Sequence, residues 1–84
     1  MELKLTTKRA LEFERKTGID VIEKLEAISK TGTVKIKDVV DLFIAMGENY
    51  TVEMFDQWDI PFVEKATEIV NAVLVYAQGA VEGK

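Results

Sequence analysis

The 84-residue sequence contains no cysteine and no histidine. That removes thiol nucleophiles, disulfides, zinc ligation by Cys or His, and the side chain most often used as a general base. Carboxylates, lysines and hydroxyls remain. Asp38 with Asp41, and Asp56 with Asp59, are spaced i, i+3, so each pair shares a helix face on which two carboxylates could hold a hard cation. Neither pair has the closely spaced oxygen donors and the glycine of an EF-hand loop, and helical carboxylates at this spacing are ordinarily just solvated. Lys30-Thr31-Gly32-Thr33 lacks the G-x-x-x-x-G-K-[ST] order of a phosphate-binding loop. Ser29, the single serine, has no evident activating base. These residues predict a protein that is not an enzyme and uses no metal or cofactor.

Charge is more informative than reactive chemistry. The net charge of −4 opposes general nucleic-acid binding, which needs clustered Lys and Arg. Basic residues concentrate early, with Lys8, Arg9, Arg15 and Lys16 forming a candidate basic patch, whereas Asp38 to Glu64 holds seven acidic residues and no Lys or Arg. Such a tract is either a solvated acidic face or a steering surface for a basic partner or a second copy, with the basic patch facing the acidic stretch of another subunit.

A chain of 84 residues, 48% hydrophobic and 31% charged, predicts one globular domain whose small core gains from helical packing or oligomerisation. No apolar run reaches membrane-spanning length, and M-E-L-K-L-T lacks the pattern of a signal peptide, so a soluble, cytoplasmic protein with no membrane partner is expected.

The elements that would position these groups are mainly helices. Leu3 and Leu5 alternate with polar residues, as in a short N-terminal strand or extended arm. Thr6 or Thr7 can cap a first helix running to about Lys16, with Ala10, Leu11 and Phe13 inward and Gly18 as its stop. Asp20 with Glu23 resembles a capping box for a second helix, whose stripe is Val21, Leu25 and Ile28 widened by Ile22, ending near Lys30. Thr33–Ile36 reads either as a strand that pairs with the arm or as the start of the next helix, capped by Thr33. Ile36, Val39, Val40, Leu42, Phe43 and Met46 make the third helix, stopped by Gly47. The last helix runs from Pro61 to about Gln78, with 79–84 as a frayed tail, and acts as the spine. Its stripe is Phe62, Ala66, Ile69, Val70, Val73 and Ala77, flanked by Val63 and Leu74 on one side and Tyr76 and Ala72 on the other. The fold class is all-α, a bundle of four to five helices.

Between the third and last helices lies the densest aromatic stretch, Gly47 to Phe62, with four of the seven aromatic residues. Thr51 begins a short helix on which Met54, Phe55 and Trp58 share a face. One reading is a helix corner plugged into the core. The other is a partner-binding or self-association wedge made of Tyr50, Met54, Phe55 and Trp58 with an acidic rim of Glu53, Asp56 and Asp59. Val75 falls among Glu64, Glu68 and Asn71 on the expected solvent face, as a stray surface valine or as part of a subunit contact.

The first two helices also invite a helix-turn-helix reading, with the second helix entering a DNA groove. That helix offers Asp20, Glu23 and Glu26 against Lys24 and Lys30, a poor balance beside phosphates.

Three runs carry a family resemblance: L-T-T-K-R-A-L-E-F-E-R-K-T-G-I-D (Leu5 to Asp20), V-K-I-K-D-V-V-D-L-F-I-A-M-G (Val34 to Gly47) and Y-T-V-E-M-F-D-Q-W-D (Tyr50 to Asp59). In this order the chain, up to its last helix, resembles the small tail assembly chaperones of long-tailed, siphovirus-type bacteriophages and prophages. The resemblance implies a non-enzymatic morphogenesis factor, made in the host bacterial cytoplasm and absent from the mature virion. It implies binding to the tape measure protein, recruitment of tail tube protein, homo-oligomerisation, and a short product of a frameshifted gene. A head-tail connector or completion protein, retained in the particle, is the competing reading.

Overall fold

Thr6 fixes the start of the first helix by accepting a hydrogen bond from the Arg9 amide, and Gly18 ends it in a left-handed conformation (φ 78°) that an L-residue adopts only with strain. The computed structural model describes the backbone of residues 3–81 and the side chains of residues 3–79. Five helices follow one another: α1 (Thr7–Thr17), α2 (Val21–Thr31), α3 (Ile36–Ala45), α4 (Val52–Gln57) and α5 (Phe62–Val81). The protein is all-α, with no strand among the described residues. Asp20 caps α2 through the Ile22 amide, Gly32 ends it in the left-handed region, and Thr51 caps α4 through the Met54 amide.

Among the described residues, neither expected strand forms, and the N-terminal segment is the extended arm of the alternative reading. The described part of the N-terminal arm has no regular structure; Leu5 is buried, Leu3 is half-buried, and both lie along α5 near Ala72 and Tyr76, where Thr7 Oγ1 meets the Tyr76 hydroxyl at 3.1 Å. Apolar burial, not ladder pairing, holds it. Thr33 is neither strand nor cap. The link from α2 to α3 has no regular structure, and α3 starts at Ile36 with Lys35 at its N-cap, whose side chain makes no cap bond.

The core centres on α3, which packs against α1, α4 and α5, while α2 packs on α5 and α1. Val39, Leu42 and Phe43 of α3, with Ile69 and Val73 of α5, are its most buried members. The 20-residue α5 is the longest helix, but α3 is the hub. Several residues expected on apolar stripes are exposed: Leu11 and Ile36 in the early helices, and Phe62, Val63 and Leu74 in α5. Leu11 lies about 200° around α1 from Phe13, so the two cannot face one core. Ile36 opens α3, where its side chain leans back past the helix start, away from the core. The last helix continues through Gly79 to Val81, where a frayed tail was expected; residues 82–84 of that expected tail lie outside the described residues.

Candidate functional site

Phe43 projects from α3 into the centre of the aromatic corner and is fully buried. Tyr50 stacks on it (centroids 4.8 Å apart, planes at 14°), Trp58 stacks on it (5.7 Å, 25°), and Phe55 meets it edge-on (5.4 Å, 70°). Phe55 in turn meets Trp58 at 6.3 Å and Phe62 at 6.4 Å. This explains Gly47. A Cβ there would stand 2.5 Å from the Tyr50 ring, so the backbone can support the tyrosine only without a side chain.

Lys65, from the first turns of α5, completes the corner. It is only 7% exposed; its Nζ donates to the Phe55 carbonyl oxygen at 2.7 Å, sits 4.6 Å from the Phe55 ring centroid and 6.0 Å from that of Trp58. Sequence reading missed it because it closes the acidic tract as one more charged residue, and nothing local marks a lysine for burial.

The candidate partner surface is therefore divided. Phe55 is a core residue, because its ring fills the space between Phe43 and Lys65. Tyr50, Met54 and Trp58 are half-buried, while Glu53, Asp56 and Asp59 form an exposed rim around them. Val75 is elsewhere, on the outer side of α5, in a shallow groove with Leu3, Glu68 and Tyr76.

The basic patch is divided as well. Arg9 and Lys16 line a cleft of about 560 Å³ between α1 and α3, together with Asp41, Glu48 and Tyr50. Half of the patch thus faces the acidic tract of its own chain. Lys8 and Arg15 do not line that cleft and are exposed near Leu11 on α1. Asp38 pairs with Lys24 at 3.1 Å, and Asp41 with Lys37 at 2.8 Å. The hydrogen bond and charge of Asp41 hold the Lys37 ammonium pKa above its ordinary value of 10.5. Among the described residues, no three His, Cys, Asp or Glu side chains gather as a metal site would require.

A third feature is an apolar groove of about 550 Å³ between the end of α2 and α5, lined by Ile28, Val34, Phe62, Val63, Val70 and Leu74. Val63 is 73% exposed and Leu74 41%. Both belong to the apolar sector of α5, yet the buried apolar row of that helix is Ala66, Ile69 and Val73. The neighbouring row turns toward α2, which covers it only in part. The exposed residues of α2 include Glu23, Glu26 and Lys30, while Lys24 is held by Asp38. Among the described residues, no helix is long and apolar enough to cross a membrane. No protein-family model matches the chain, and comparisons with curated proteins and with solved structures give no match.

Proposed function

We propose that this chain is a non-enzymatic tail assembly chaperone of a long-tailed bacteriophage or prophage. It binds the tape measure protein and helps recruit tail tube subunits in the host cytoplasm, and it leaves before the virion is complete. The observation that carries the reading is the apolar groove between α2 and α5, whose exposed edge runs along α5 through Val63 and Leu74. A long helical client presents apolar residues at i, i+3, i+4 and i+7, and an open apolar groove beside a helix is the usual way to cover such a face. The resemblance carried by Leu5 to Asp20, Val34 to Gly47 and Tyr50 to Asp59 supplies the client's identity.

The acidic α4 rim and the exposed Glu23 and Glu26 of α2 are in keeping with a protein partner rather than DNA. Mass spectrometry of purified virions, together with co-expression, tests the reading. Tape measure protein made alone should aggregate and become soluble with this chain, and the chain should be missing from the finished particle. Its retention in virions would favour the connector reading instead.

A further inference from the structure

Lys65 does not line the apolar groove between α2 and α5, and the surroundings of its buried ammonium give it a role of its own. The helix α4 has six residues, about half the length at which an isolated helix persists in water. It packs on α3, and among the described residues no Cα of α4 comes within 8 Å of a Cα of α5. Side chains bridge that gap. The Phe55 carbonyl lies in the last turn of α4, where carbonyls lack the usual i+4 amide donor, and it accepts from the Trp58 amide at 3.3 Å and from Lys65 Nζ at 2.7 Å. Lys65 therefore caps the C-terminus of α4 from another helix, with the charge that the helix dipole favours there. Irregular segments flank α4 on both sides, from Met46 to Thr51 and from Trp58 to Pro61, and such segments can absorb a hinge rotation.

We propose that α4 is a flap latched by Lys65, holding the aromatic corner closed over Phe43. When the ammonium withdraws, residues 50–59 open as one unit and uncover the Phe43 face, while α1, α2 and α5 stay folded. The aromatic surface is then conditional on a single cation. This inference stands on the geometry of Lys65 and α4 and does not depend on the chaperone reading.

Amide hydrogen exchange on the wild type and on Lys65→Met tests it, since methionine keeps an unbranched apolar stem and removes the cation. The amides of Phe55 to Trp58 should exchange at least about tenfold faster in the variant and, in both proteins, with one shared opening free energy below that of the slowest amides of α1, α2 and α5. Exchange of the Phe55 to Trp58 amides at the opening free energy of the slowest core amides, or no change in the variant, would overturn the flap. Should the variant not fold, acylation of amines in the wild-type protein decides the matter. Lys65 should react at least about tenfold more slowly than Lys8, with a protection equal to that of the Phe55 to Trp58 amides. Reaction as fast as Lys8, or protection equal to that of the slowest core amides, would contradict the proposal.

Discussion

Lys65 Nζ lies 2.7 Å from the Phe55 carbonyl oxygen and 4.6 Å from the centroid of the same residue's ring, so the backbone and the side chain of one residue receive a hydrogen bond and a cation–π contact from one ammonium. Both interactions are strongest away from water, and Lys65 is almost fully buried. A hydrogen bond to a charged group contributes about 1.5–3 kcal/mol and a desolvated cation–π contact about 2 kcal/mol, and the two overlap in space. Lys65→Ala should therefore destabilise the protein by about 2–4 kcal/mol in urea unfolding. A loss under about 1 kcal/mol would mean that the corner closes without the ammonium.

Phe43 is stacked between Tyr50 and Trp58, and its removal takes the common surface from both. Phe43→Ala should cost about 3–5 kcal/mol. Trp58 should report the same event: its emission should shift to the red as the ring loses its stacking partner.

Gly47 and Tyr50 should behave as one unit. A methyl at position 47 meets the Tyr50 ring at 2.5 Å and must push it off Phe43. Gly47→Ala should cost about 1–3 kcal/mol in the wild type and far less in a Tyr50→Ala background. Additive costs in that double-mutant cycle would show that the strain lies in the backbone and not against the ring.

Lys37 gives a pH dependence with a defined sign. Its pKa is raised in the folded protein, chiefly by the hydrogen bond to Asp41 and then by that carboxylate's charge. A raised cationic pKa contributes stability that is fully present below the ordinary value of 10.5 and fades as the pH climbs through the folded value. Asp41→Asn should lower the Lys37 titration midpoint, followed by NMR, and should leave stability at neutral pH almost unchanged because the Lys37 ammonium is exposed.

Much of this architecture was legible in local chemistry. Thr6, Asp20 and Thr51 are caps because short oxygen-bearing side chains reach the first free amides, and Gly18 and Gly32 are stops because the chain turns left-handed there. The aromatic spacing of Phe55 and Trp58 also led to the corner. What stayed hidden depends on contacts between distant residues. Lys65 is solvent-seeking in sequence and becomes buried only because α5 brings it against the carbonyl end of α4. Val63 and Leu74 fit the apolar sector of α5, and their exposure follows from how little of that side α2 covers. The division of Lys8, Arg9, Arg15 and Lys16 between two sides of α1 was implicit in helical periodicity, but which side meets α3 is set by Phe13.

The proposed client binding along α5 is most directly tested by titrating a fluorescent helical peptide from the tape measure protein into the wild type and into a Val63→Asp, Leu74→Asp double variant. Both positions are exposed, so the variant should keep its circular dichroism and its unfolding midpoint. Placing two charges in the groove should weaken binding by at least about a hundredfold, since each desolvated carboxylate opposes an apolar client by well over 1.4 kcal/mol. Equal affinity of the two proteins for the peptide, or no binding by either, would contradict the proposed role of this groove.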